Sequence, residues 1–222
     1  LFEELIVNHE NAGDAFDALE ERCDSHDEPA CLELSGNRDT YFDVSLINGD
    51  FESGDLKGWI KDGDGRVITQ LGFLSPTQGS YMGIISTGLG MTLNMGSIKQ
   101  SFFIEEGMTK LTVKWNFISE EFEEYVGSIF QDYFTIILIS ESGSSNTLFY
   151  KSIDNIAGEY ALIDVSPQIV FDQGDVYMTG WQTFTFDISG YAGEGVTIIL
   201  KSGDIGDSIY DTAILLDEIS VE

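Results

Sequence analysis

The sequence is short of several things at once, and each shortage excludes a class of function. Among 222 residues there are ten lysines and arginines, two cysteines, two histidines and three prolines. Ten bases against thirty-nine acids leave a formal charge of −29. Nucleic acid and anionic membrane both require a basic patch, so neither is expected as a partner. His9 and His26 both fall within the first 40 residues, which leaves no Ser-His-Asp triad for the rest of the chain. No P-loop or dinucleotide fingerprint is present. No apolar run approaches the ~20 residues needed to cross a bilayer, so membrane insertion is not expected either.

Cys23 and Cys31 are separated by seven residues in a polar stretch. A disulfide closing that loop would stabilise by roughly 2–3 kcal/mol and would imply an oxidising, extracellular setting. Free thiols are the alternative; His26 between the two cysteines makes no recognised zinc spacing. A chain that opens on Leu1 rather than Met is expected to be a trimmed product whose signal peptide has gone.

What is present is strand chemistry. Twenty-four glycines accompany many Ile, Val, Thr, Phe and Tyr residues. Residues 1–40 stand apart as an acidic appendage with twelve acids and two bases. They carry the only helical periodicity noted, Phe16, Leu19 and Cys23 on one face, after an apolar start at Leu1, Phe2, Leu5, Ile6 and Val7. From residue 41 to 222 short strands alternate with Gly, Asn and Asp turns. Leu111, Val113, Trp115 and Phe117 share one face, as do Val196, Ile198 and Leu200. Phe134–Ile139 is apolar on both faces, which suits a central strand under a second layer. The expected fold is all-β: a two-sheet antiparallel jelly-roll sandwich of eight to ten strands, with a short helical or extended N-terminal appendage.

The densest chemical signal lies between Phe117 and Phe134, where four glutamates separate two apolar strands. Carboxylates packed that closely repel one another unless a cation holds them, and hard oxygen ligands on a flexible loop suit calcium. The first candidate site joins Glu120, Glu121 and Asp132 to Asp204, Asp207 and Asp211. A solvated acidic rim with turn-forming aspartates is the plainer alternative. A second candidate joins Asp50 and Glu52 to Asp217, placed in phase with Leu215, Ile219 and Val221 on the expected inward face; the alternative there is a carboxylate bonded to backbone amides. Asp62-Gly63-Asp64-Gly65 imitates the start of an EF-hand loop without its later ligands and reads as a turn.

Three segments carry a family resemblance. Asn48-Gly49-Asp50-Phe51-Glu52, followed by Gly58-Trp59, resembles the opening of jelly-roll modules of the carbohydrate-binding type. Phe117 to Phe134 resembles the signature of choice-of-anchor L-type bacterial surface domains, with Gln131 where Asn is usual. Ser202 to Ala213 is similar to the segment that precedes that family's last strand. The resemblance spans residues 44–222 and implies a secreted, surface-attached β-domain, with activity left open. In the similar jelly-roll modules the first and last strands lie beside a calcium, which is what the resemblance implies for Asp50, Glu52 and Asp217.

No catalysis is expected: Glu120 and Glu121 are neighbours that face opposite ways, whereas glycosidase acid pairs come from separate strands. For sugar binding the candidate rings are Trp181 and Tyr177, with Tyr150 and Tyr160 read as lying in loops; Trp59 and Trp115 read as core. The expected function is a calcium-stabilised extracellular structural or adhesive surface protein, self-associating as a homo-oligomer or filament. A carbohydrate-binding module without catalysis is the alternative.

Overall fold

A computed structural model describes residues 45–89, 93–206 and 209–222. The appendage over 1–40, the Cys23–Cys31 pair and Asp207 lie outside the described residues.

Among the described residues eleven antiparallel strands form one sheet that curls back on itself. In chain order they are β1 (Ile60–Ile68), β2 (Met82–Ser86), β3 (Met95–Phe103), β4 (Lys110–Ser119), β5 (Tyr133–Ser140), β6 (Ser145–Ser152), β7 (Ile163–Asp164), β8 (Tyr177–Met178), β9 (Gln182–Asp187), β10 (Gly195–Gly203) and β11 (Thr212–Val221). One layer runs β6-β5-β10-β3-β1, the other β1-β2-β11-β4, with β9 and the short pair β8-β7 completing it along β4. The fold is an all-β jelly-roll sandwich.

The two layers share β1. Its first half, Ile60–Gly63, pairs with β3, and its second half, Asp64–Ile68, pairs with β2. The Asp62-Gly63-Asp64-Gly65 run, expected as a turn, is therefore the corner of the sandwich. Gly63 has φ +66°, and a Cβ there would stand 2.1 Å from the Met95 carbonyl oxygen. Only glycine meets both demands. Asp64 uses its carboxylate to hold Arg66 and the Ser86 hydroxyl across the corner.

Period-two alternation fills the space between layers. Ile98, Phe134, Ile136, Leu138, Ile198 and Leu200 face Leu111, Val113, Trp115, Phe117, Ile214 and Leu216. Trp115 sits at the centre, with Phe149 and Tyr160 at 5.2 and 5.5 Å between ring centroids. A second apolar cluster covers the far side of β2, β11 and β4: Met82, Ile84, Ile118 and Leu215 pack under Leu74, Val165, Ile169 and Val176.

Four expectations are corrected by the structure. Strands β2 and β11, not β5, are the ones buried on both faces; β5 lies next to the edge strand β6, and its outward Ile137 and Ile139 are half-buried. Asp217 shares its face with Leu215 rather than with Ile219, because the β11–β4 register shifts between Asp217 and Ser220 and Glu218 takes φ +45°. Ile219 is thereby turned into the main core. A short helix, α1 (Ile153–Glu159), also stands outside the appendage; Asn155 Oδ1 accepts the Ser152 amide hydrogen at its start, and Ile153 and Ile156 anchor it in the core. Tyr150 lies on β6, not in a loop.

Candidate metal centre

Two connections cross between layers at the same end. Ser119 at the end of β4 pairs with Thr212 at the start of β11, and Gly203 at the end of β10 pairs with Tyr133 at the start of β5. The loop 120–132 is thus brought beside residues 204–206 and 209–211, and together they carry five of the six carboxylates of the first candidate site. Phe122 plugs the longer loop into the core against Phe117, with ring centroids 5.7 Å apart. Tyr125 and Tyr210 close the two loops over each other at 4.7 Å. Gln131 fastens the longer loop to α1: its side-chain carbonyl accepts the Asp154 amide hydrogen and its Nε2 donates to Asp154 Oδ1.

Within this end the expected cluster divides in two, because Glu120 and Glu121 point opposite ways. Glu120 turns toward residues 172–174. Its Oε1 accepts the backbone amides of Asp172, Gln173 and Gly174 at 2.9, 2.9 and 3.2 Å, and its Oε2 accepts the amide of Asp211 at 3.1 Å. Glu120, Asp172 and Asp211 each bring one carboxylate oxygen within 4.8 Å of the others, the one such trio among the described residues. Ligand oxygens 2.3–2.6 Å from a calcium ion lie at most about 5 Å apart, so the trio fits one coordination shell. Asp172 was not foreseen; its loop has no pattern beyond a turn-like Asp-Gln-Gly-Asp.

Glu121 turns the other way, to Asp132 and Asp204. Glu121 Oε2 accepts the Asp132 amide hydrogen at 3.1 Å, and Asp132 Oδ1 accepts that of Ile205 at 3.2 Å. Asp132 is wholly buried, and its Oδ2 has no hydrogen-bond partner. Burial first, and then the Glu121 and Asp204 carboxylates, push its pKa up to about 9. The Thr212 hydroxyl opposes that rise, although it donates its own proton to Ser119 Oγ at 2.8 Å.

The second candidate set is arranged differently. Asp217 is buried; its Oδ2 accepts from the Thr77 amide and hydroxyl at 2.8 and 2.7 Å, and its Oδ1 from the Glu218 amide at 2.8 Å. Glu52 accepts the Ser80 and Tyr81 amides at 2.8 and 2.9 Å. Asp50 lines a cleft of about 400 Å³ with Gln78 and Glu218. Asp217 and Glu52 thus both hold the segment 77–81, and Asp50 accepts the Glu52 amide hydrogen at 3.3 Å.

Trp181 and Tyr177 are half-buried, Trp181 against the second apolar cluster and Tyr177 against the main core. A more open ring is Tyr150, 46% exposed and stacked on Tyr133 at 5.4 Å between centroids. Tyr133 lies flat across Gly203, where a Cβ would stand 2.5 Å from the ring. Lys99 and Lys201 occupy the same outward face and make no ion pair among the described residues.

No protein-family model matches the sequence, and no curated protein does. Solved structures of similar shape include carbohydrate-binding modules, adhesin domains and a bacteriophage tailspike protein. TmCBM61, solved in complex with beta-1,4-galactotriose, is 12% identical over 81% of this chain and 97% of its own, with a TM-score of 0.47. The K1 cleaved adhesin domain of Lys-gingipain from Porphyromonas gingivalis W83 is 16% identical over 78% of this chain and 95% of its own, with a TM-score of 0.46. The CBM22-1 xylan-binding domain of Paenibacillus barcinonensis Xyn10C is 18% identical over 78% and 90%, with a TM-score of 0.36.

Proposed function

We propose that the chain is a non-catalytic extracellular surface domain whose loop end is held together by calcium and whose open sheet face does the binding. The observation that supports it is the Glu120, Asp172 and Asp211 trio, drawn from three separate connections to within 4.8 Å. Calcium would take one oxygen from each and complete its shell with backbone carbonyls and water, neutralising charge on a chain of −29. The protein's own part is to present those oxygens on crossovers already fixed by Phe122 and by the amide cradle around Glu120. Ion affinities of about 10⁻⁴–10⁻³ M are typical of extracellular modules and match millimolar calcium outside cells. Chelator-treated protein should melt at a lower temperature, and calcium should reverse the change.

A second reading, carbohydrate binding, is favoured by the exposed Tyr150 ring on its Tyr133 and Gly203 base. An exposed aromatic face with amine and hydroxyl donors nearby suits a pyranose ring and its hydroxyls. A glycan array separates this reading from a purely structural role.

Self-association belongs to the same proposal. Strand β6 stands at one edge of the sheet, and an exposed edge accepts an added strand. The apolar segment Leu1 to Val7, outside the described residues, would be the donor. Deleting residues 1–10 should dissolve oligomers while leaving the fold intact; an unchanged oligomeric state rules the donation out.

A further inference from the structure

We propose, resting on the carbohydrate-binding reading of this face, that its ligand is an acidic polysaccharide whose sugar rings carry carboxylate or sulfate. Tyr150 would be the stacking platform, and Lys99 and Lys201 the groups that answer the charge. The chain's few bases are unevenly placed. Among the described residues Arg66, Lys110, Lys114 and Lys151 are each matched to a carboxylate. Of the four without one, Lys57 and Lys61 are exposed around the start of β1. Lys99 and Lys201 share one open sheet face. On a chain with thirty-nine acids against ten bases, two unmatched lysines side by side stand out.

Strand register puts them within reach of a single ligand. Lys99 stands opposite Ile199 and Lys201 opposite Ser97, so the lysines are diagonal neighbours on adjacent strands. Such neighbours lie about 7–8 Å apart. Ile98 and Leu200, beside them in the chain, are buried in the main core, which sends both lysines outward. Across the next strand Lys201 pairs with Thr135, and Thr135 with Tyr150. Lys201 and Tyr150 thus share one rung, two strand spacings or roughly 10 Å apart. Tyr133 stacks on Tyr150 and lies against Gly203, which fixes the platform from below. The rung beside it is aliphatic. Ile137 and Ile199 are half-buried there and belong to neither apolar cluster.

A pyranose ring stacked on Tyr150 would project its substituents over Thr135 toward Lys201. A neighbouring sugar would cross Ile137 and Ile199 toward Lys99. An ammonium group is a point charge with three donors, suited to a carboxylate or sulfate on the sugar. A neutral sugar would leave both charges unanswered. The acid nearest by register is Asp62, opposite Ser97 and exposed, and it makes no ion pair with either lysine. The formal charge of −29 does not forbid an acidic ligand here. At physiological salt, charges further off than about 8 Å are largely screened, so the two lysines govern this face. The same excess of acids keeps such a ligand off the rest of the surface.

The test is a glycan array probed with the full chain in calcium chloride. It carries oligogalacturonate and dextran sulfate beside their neutral counterparts, methyl-esterified oligogalacturonate and dextran. At least one acidic probe should bind in preference to its counterpart, and the two arms tell carboxylate from sulfate. Changing both lysines, Lys99→Gln with Lys201→Gln, should weaken binding of that probe about tenfold and abolish the preference, with the melting temperature unchanged. Lys99→Arg with Lys201→Arg should keep the preference. Neutral probes bound as tightly as acidic ones, or a preference that survives the double glutamine variant, would overturn the proposal and leave the carbohydrate reading standing. Binding of no glycan at all would remove both.

Discussion

Glu120 Oε2 accepts the amide hydrogen of Asp211 at 3.1 Å, and so the first residue of the β4–β5 crossover organises the entry to β11. The same side chain holds three more amides at residues 172–174. Glu120→Ala would strand four backbone donors, the Asp211 amide at a buried position and the other three at part-buried bonds. Hydrogen bonds to a charged group contribute about 1.5–3 kcal/mol each, so a loss of at least about 3 kcal/mol is expected in urea unfolding. Glu120→Gln, which retains acceptor oxygen, should cost less. A variant as stable as the parent would contradict the cradle.

Gly63 carries the corner between layers. Gly63→Ala puts a Cβ into the Met95 carbonyl and asks alanine to hold φ +66°. The expected cost is roughly 2 kcal/mol or more, read as a lower denaturation midpoint with an unchanged slope.

Tyr150→Ala separates binding from stability. The ring is 46% exposed, so unfolding free energy should shift by under about 1 kcal/mol. Any glycan affinity detected on an array should fall on the order of tenfold or more, as for loss of an aromatic anchor. Equal binding by parent and variant would remove this face from consideration.

Lys114 Nζ lies 2.5 Å from Glu218 Oε1, and this contact, followed by the Thr77 hydroxyl, lowers the Glu218 pKa below its ordinary 4.5. A lowered carboxylate pKa means that the unfolded chain binds the proton more readily than the folded one. The contribution is therefore present in full above pH 4.5 and disappears as pH falls through the lower folded value. Lys114→Met should reduce stability by about 0.5–1 kcal/mol at neutral pH, with the difference from the parent closing in acid. A difference that is constant with pH would assign the effect to packing instead.

The fold was largely readable from period-two alternation. Leu111, Val113, Trp115 and Phe117 are all buried as their spacing implied, and so are Val196, Ile198 and Leu200. What alternation could not show is a strand that changes partners. Asp62-Gly63-Asp64-Gly65 has turn composition yet runs straight through a corner, because both neighbours of β1 pair with it at different halves. The phase of Asp217 was misjudged for a related reason: one register shift in β11 moves every following side chain to the other face. Within the candidate site, Glu120 and Asp211 were visible as acids flanking strand ends, whereas Asp172 was not. Its part depends on residues 172–174 folding around Glu120, a long-range contact with no local signature.

Calcium dependence is the centre of the account, and thermal unfolding tests it most directly. Protein stripped with EDTA should melt at a lower temperature than the same protein in calcium chloride. The melting temperature should climb with the logarithm of calcium concentration, reaching about 2.7 kcal/mol of added stability at 100 times the dissociation constant of one site. Superimposable melting curves with EDTA and with millimolar calcium would contradict it.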